Sequence, residues 1–167
     1  LFACVDVGYH ADPSACAACL LFKDWADEQP LQERSLCIDR VAPYVPGRFY
    51  ERELPAILAV IEPFVLQIET ILIDGYVYLD AGRPGLGAKL FESLDQKVAV
   101  VGVAKTRFRE AEKVVEIKRG QSARPLFVTT AGISLAQAAV GIERMHGAFR
   151  IPTLLKRVDQ LSRAKSC

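Results

Sequence analysis

Three acidic residues stand where apolar runs meet a turn or a helix start. Asp6 interrupts Leu1-Phe2-Ala3-Cys4-Val5, and Asp74 closes Thr70-Ile71-Leu72-Ile73 just before Gly75. Glu53 directly precedes Leu54-Pro55-Ala56-Ile57-Leu58. A carboxylate at the edge of a buried strand is costly to desolvate unless something pairs with it. Three brought together repel one another, and a divalent cation offsets that repulsion best. The chemistry such a trio could do is magnesium-dependent hydrolysis of phosphodiesters. Alone, Asp6 has a plainer reading as a turn or salt-bridge acid, and only its company with Glu53 and Asp74 lifts it above that.

The elements that must position them follow from the apolar pattern. Residues 1–9 read as a buried strand, Tyr9 to Ser14 as a turn, Ala15 to Phe22 as a second strand and Lys23 to Pro30 as a charged turn. A third strand is expected near Ser35 to Val41, which completes an antiparallel meander. The prolines of Pro43-Tyr44-Val45-Pro46-Gly47 impose an irregular loop. A helix is expected from Pro55 to Phe64, a short buried strand over Thr70 to Asp74, a loop over 75–85 and a helix near Leu86 to Leu94. Lys97 to Ala104 reads as a strand in a parallel interior. Val114 to Thr130 reads as a hairpin around Arg119-Gly120-Gln121-Ser122, followed by helices at Leu135 to Met145 and Pro152 to Arg163. This order implies one α/β domain spanning residues 1–167, a mixed sheet with antiparallel first three strands flanked by helices. A ribonuclease H-like arrangement, with the first strand central, would bring Asp6 beside Asp74 and let Glu53 approach from a loop above the strand ends.

Composition narrows the function. A chain of 167 residues, 51% hydrophobic, suits one folded core and excludes a disordered chain. No apolar run approaches the length of a membrane span. The N-terminus lacks a basic leader, so no signal peptide is expected; it also lacks methionine and begins inside a strand pattern, so an upstream segment is expected to be trimmed or lost. The odd set Cys4, Cys16, Cys19, Cys37 and Cys167 implies reduced thiols and a cytoplasmic, intracellular location. Cys16 and Cys19 lie three apart on a strand, hence on opposite faces, and read as buried thiols rather than a redox or zinc pair. Net charge is +1, but residues 1–96 hold 7 basic and 15 acidic side chains while residues 97–167 hold 14 basic and 5 acidic. That split suggests an acidic cation site beside a basic surface for a phosphate backbone. The run Gly82-Arg83-Pro84-Gly85-Leu86-Gly87 lacks the Gly-Lys-Ser/Thr ending of a phosphate loop, so no nucleotide cofactor is expected. Lys156, Arg157, Arg163 and Lys165 either contact phosphates or solvate a helix face.

Several motifs, in order, resemble the endonuclease V family. Pro43-Tyr44-Val45-Pro46-Gly47 with Arg52-Glu53 and Pro55 looks like its Pro-Tyr-x-Pro-Gly…Arg-Glu-x-Pro block. Asp6-Val7-Gly8-Tyr9 and Ile73-Asp74-Gly75 look like its aspartate motifs. Gly85-Leu86-Gly87, Gly102-Val103-Ala104-Lys105, Pro125-Leu126-Phe127-Val128 and Phe149-Arg150-Ile151-Pro152 resemble its later blocks. The resemblance implies a ribonuclease H-like fold and a repair-type endonuclease that cuts DNA or RNA near deaminated adenine (inosine) with Mg2+, or Mn2+ in its place. It implies Asp6, Glu53 and Asp74 as metal-binding catalytic carboxylates and Lys105 as a catalytic residue near the scissile phosphate. Pro43, Tyr44, Val45 and Pro46 would wedge strands apart, with Gly47, Phe49, Gly75, Tyr76, Gly85, Leu86 and Gly102 around the displaced base. The chemistry is coherent: a metal held by the carboxylates would supply an activated water, a lysine would offset developing charge, an aromatic would stack in place of the lost base, and a weakly paired purine is cheap to extrude.

The chain also departs from the family. Where the family has Asp-Gly-His-Gly and a histidine four residues on, this chain has Tyr76 and Asp80; where it has Gly-His after a Val-Ser strand, taken to help complete the catalytic constellation, this chain has Ala131 and Gly132. Three readings stand. The enzyme is active with an altered metal shell, Asp80 or Asp159 supplying a further acid. Its substrate differs because Tyr76 and Tyr78 reshape the pocket mouth. Or it binds nucleic acid and cuts poorly. A different ribonuclease H-like nuclease, such as a junction resolvase, is a further alternative.

Overall fold

The uninterrupted apolar runs form the interior of a seven-stranded sheet, ordered β3-β2-β1-β4-β5-β7-β6. The computed structural model describes residues 1–10, 14–39, 41, 50–80, 83–109 and 111–164. Its strands are β1 (Phe2–Tyr9), β2 (Ala15–Phe22), β3 (Gln32–Ile38), β4 (Thr70–Asp74), β5 (Ala99–Ala104), β6 (Val115–Ile117) and β7 (Leu126–Ala131). The helices are α1 (Tyr50–Ile61), continued by a 3-10 turn over Glu62–Gln67, then α2 (Leu86–Ser93), α3 (Leu135–Arg144) and α4 (Thr153–Arg163). β1, β2 and β3 pair antiparallel, whereas β1–β4 and β4–β5 are parallel. The fold is therefore an α/β mixed sheet flanked by helices, of the ribonuclease H type.

Alternation along β1 sets up both cores. Ala3, Val5 and Val7 join Ile71, Ile73, Ala56, Ile57 and Val60 on the α1–α2 side. Cys4 joins Leu72, Val101, Val103, Leu154 and Val158 on the α3–α4 side. β2 is buried along its whole length, because helices cover both faces and small residues let them come close. Cys19 belongs to the α1–α2 core, whereas the Cys16 Sγ lies near the Leu161 carbonyl of α4, so the two sit on opposite faces. Cys4, Cys16 and Cys19 are free. Cys37 is disulfide-bonded, which corrects the expectation of reduced thiols throughout. Among the described residues no helix is long and apolar enough to cross a membrane.

Two elements differ from expectation. β3 begins at Gln32 rather than near Ser35. It is an edge strand with alternating exposure, so Gln32, Glu33 and Arg34 pair with β2 without needing an apolar face. α1 spans Tyr50–Ile61 and carries Pro55 inside it. Pro55 forfeits one early backbone bond, and burial of Ala56, Ile57, Val60 and Ile61 outweighs that loss. The α-helix gives way to the 3-10 turn at Glu62, next to Pro63, which supplies no N–H for a further α-helical bond.

α4 crosses β1 at Gly8. A Cβ there would sit 2.3 Å from the Ser162 carbonyl oxygen, so only glycine permits this approach. Gly8→Ala is expected to lift α4 and cost about 1–3 kcal/mol, read as a lower midpoint in urea unfolding. An unchanged midpoint would show that α4 is free to shift.

Candidate active site

β1 and β4 run parallel in a register that pairs Val5 with Ile73, so Asp6 and Asp74 follow side by side at the carboxyl ends of neighbouring strands. That end of an open α/β sheet is where ligands bind. Even-numbered residues of β1 face α4, and Asp6 accepts a hydrogen bond there from the Ser162 hydroxyl. Ser162 is fully buried, and its hydroxyl oxygen also lies 2.9 Å from the Asp159 carbonyl oxygen. Glu53 comes from the opposite helical layer. It lies in the first turn of α1, not in a loop as expected, and is 9% exposed. Its Oε1 accepts from the Tyr9 hydroxyl at 3.2 Å, while the Arg52 guanidinium stacks over the Tyr9 ring, 4.2 Å from its centroid. Lys105, just past β5, places Nζ 2.6 Å from Asp74 Oδ2. Asp6, Glu53, Asp74 and Asp159 line one open cleft, and Lys105 joins Asp6, Asp74 and Asp159 on its adjoining wall.

The electrostatics register this convergence. Burial raises the Glu53 carboxyl to about 8, the charges of Asp6 and Asp74 add to the rise, and the Tyr9 hydroxyl and Arg52 oppose it. Burial likewise raises Asp6, with the Ser162 hydrogen bond opposing and the charges of Asp74 and Asp159 adding. Tyr9 is raised by burial and by Glu53. The donors are all hard carboxylate oxygens, the ligand type of magnesium and manganese, and like charges forced together favour a cation. As the side chains stand, no three acid, histidine or cysteine groups among the described residues form a ready metal cage. Asp74 turns to Lys105, Glu53 to Tyr9 and Asp6 to Ser162. Asp159 pairs with Arg163 at 2.8 Å. The set fits a divalent cation in donor chemistry.

The fold matches solved structures at a TM-score of 0.75 for human ENDOV (24% identity, 97% of this chain and 82% of that one). It matches Ciona intestinalis endonuclease V, in complex with a 24-mer DNA containing an inosine followed by a ribo-adenosine, equally well (TM-score 0.75, 17% identity, 97% and 84% coverage). At these identities the likeness speaks for the fold. In sequence, the chain is 27% identical to endonuclease V of Nostoc punctiforme over 181 residues, covering 96% of this chain and 81% of that protein. Endonuclease V of Streptomyces coelicolor is 26% identical, with 96% and 76% coverage. The Endonuclease V family model matches residues 1–140. The chain belongs to the Endonuclease V family.

Its other endonuclease V motif residues separate into distinct places. Pro43, Tyr44, Val45, Pro46, Gly47 and Phe49 lie outside the described residues. Gly75, Gly85 and Gly102 come together around the turn after β4. A Cβ on Gly102 would meet the Gly75 carbonyl oxygen at 2.5 Å, and one on Gly85 the Tyr76 carbonyl oxygen at 2.5 Å. Gly75 has φ +136 and open space where a side chain would stand. Leu86 is buried in the α1–α2 core.

The departures from the endonuclease V pattern prove structurally informative. Tyr76 is 9% exposed. Its hydroxyl donates to the Thr106 carbonyl and accepts from the Phe108 N–H, both at 2.9 Å, bracing the segment after Lys105. Tyr76→Phe is therefore expected to cost about 1–2 kcal/mol in chemical unfolding; no loss would mean that water replaces the hydroxyl. Asp80 pairs with Arg83 and faces a separate cavity with Tyr78 and Lys113. Gly132 follows Ala131, which pairs with Val100, and packs on Ala99 and the Phe91 ring. It thus lies toward the opposite end of β5 from Val103, the partner of Asp74. Of the two further acids considered, geometry favours Asp159. Ser162 escaped notice, although it continues the buried stripe Leu154–Val158 as its one polar member.

Proposed function

We propose that this chain, acting as one domain over residues 1–167, is a metal-dependent endonuclease that hydrolyses a phosphodiester near inosine in DNA or RNA. The observation that carries this is the shared cleft of Asp6, Glu53, Asp74 and Asp159 at the ends of β1 and β4, in a member of the Endonuclease V family. The inosine-containing DNA bound by the Ciona protein supports the choice of substrate. In this reading Asp6, Glu53, Asp74 and Asp159 hold Mg2+ or Mn2+. When bound, the ion supplies an activated water and offsets charge on the phosphate and leaving oxygens. Ser162 fixes the Asp6 carboxylate, and the Tyr9 hydroxyl, steadied by Arg52, fixes Glu53. Lys105 exchanges its Asp74 partner for a phosphate oxygen and neutralises charge that grows toward the transition state. Gly75, without a side chain beside Asp74, leaves room for a displaced base.

The separate partners of Asp74, Glu53 and Asp6 favour a second reading, a nucleic-acid-binding protein of the same fold with weakened cleavage. A panel of single-lesion DNA and RNA strands, incubated with magnesium or manganese, decides between them. Nicking beside inosine supports the enzyme. Binding of inosine strands without a nick in any of them supports the second reading, and preferential cutting of branched DNA overturns both.

A further inference from the structure

We propose that Phe149 is a fixed stacking platform for unpaired bases of the strand that enters the carboxylate cleft, with Lys156 on its phosphates. This rests on the nucleic-acid reading of that cleft and adds where the strand runs beyond it. Phe149 is 76% exposed. A lone exposed apolar side chain is ordinary, but this one is held from both sides. The Arg119 guanidinium, on a residue only 7% exposed, donates to the carbonyl oxygens of Met145, Gly147 and Phe149 itself. Gly120, at φ +59, comes so close that a Cβ would lie 2.3 Å from the Ala148 carbonyl oxygen. On the other flank Arg150 donates to the carbonyl oxygens of Lys105 and, at 2.8 Å, Pro125. A buried guanidinium is costly unless its donors are satisfied. Here Arg119 satisfies both terminal nitrogens by holding the backbone beneath an exposed ring, which lowers the ordering cost of stacking on it.

The surroundings select the occupant. Phe149, Lys156, Ile151 and Leu155 line a groove that also includes Lys105 and Asp159. Lys105 and Asp159 border the carboxylate cleft too, so groove and cleft are continuous. An aromatic face in a groove that also holds Lys105 and Lys156 matches a single strand, whose bases stack while its phosphates meet cations. Stacking is tolerant of sequence, so the platform acts on strands with or without inosine.

Fluorescence anisotropy tests this with labelled single strands, inosine-containing and inosine-free, each either short or extended at one end or the other. An Asp74→Asn background keeps them intact. Phe149→Leu is expected to weaken binding of strands extended in one direction by roughly 5- to 100-fold, whether or not they carry inosine. Phe149→Trp restores it, short strands change little, and the exposed position leaves the melting temperature unmoved. Phe149→Leu binding extended strands as tightly as the parent, or losing equally on short and extended strands, overturns the platform. Dependence on Phe149 without any preference for inosine upholds the platform and counts against the lesion reading alone. Failure of the parent to bind any strand overturns both.

Discussion

Asp74→Asn removes cleavage and leaves the fold standing. Asp74 and Lys105 are each 42% exposed in their side chains, and such a pair contributes at most about 1 kcal/mol to stability. Its loss is therefore nearly silent in a melting curve. In the proposed mechanism, however, the amide cannot serve as an anionic ligand, and hydrolysis should fall by at least about 10³-fold. Asp6→Asn makes a sharper pair of readouts. Burial and the charges of Asp74 and Asp159 raise this carboxyl, so its ionised form opposes folding near neutrality. The asparagine still accepts the Ser162 hydroxyl and carries no charge. The variant should melt higher than the parent in metal-free buffer while losing nicking to the same degree. Single-turnover cleavage of an inosine strand and thermal melts with chelator check both. Retained cleavage in either variant would remove that carboxylate from the mechanism, and a lower melting temperature for Asp6→Asn would mean that the cluster is not under electrostatic strain.

How much of this could be read from residue order depends on the distance over which each contact forms. Asp6 and Asp74 end runs that had to be buried strands, and parallel neighbours with matched ends bring them together. Local pattern and one topological assumption sufficed there. Glu53 was identified but misplaced onto a loop, because Pro55 looked like a helix start, whereas the burial of Ile57, Val60 and Ile61 carries the helix back past it. Asp159 was open to two readings for another reason. Its approach depends on α4 docking over Gly8, a contact between residues at opposite ends of the chain, and Ser162 reaches Asp6 across 156 positions. The same holds for Phe149. Nothing in Phe149-Arg150-Ile151-Pro152 tells that a buried arginine thirty residues earlier grips its carbonyl oxygen. The charge split between residues 1–96 and 97–167 is partly realised in space. The first part supplies Asp6, Glu53 and Asp74, and the second supplies Lys105 and Lys156 beside them, together with the one acid Asp159.

Glu53 should make both stability and cation binding depend on pH, in opposite senses. Its carboxyl lies at about 8 in the folded chain, against roughly 4.3 when unfolded. The folded state thus holds a proton that the unfolded state has released between those values. The stabilisation it brings is complete below the unfolded pKa and is lost as pH rises through about 8. The full difference sets a ceiling of roughly 5 kcal/mol, and water on the open side of the cleft brings the expected figure to about 2 kcal/mol. Metal-free protein should therefore lose stability between about pH 5 and pH 9, and Glu53→Gln should flatten that decline. A divalent cation reverses the sense. It binds the ionised carboxylate, so its binding expels the proton and strengthens as pH rises. The rise in melting temperature that excess magnesium confers should be small near pH 6 and large near pH 9, and it should shrink at both in Glu53→Gln. Melts in chelator and in magnesium across this range read both slopes. Parallel curves for the parent and Glu53→Gln would show that Glu53 is ionised throughout, held by a partner other than a metal, and would take it out of the proposed ligand set.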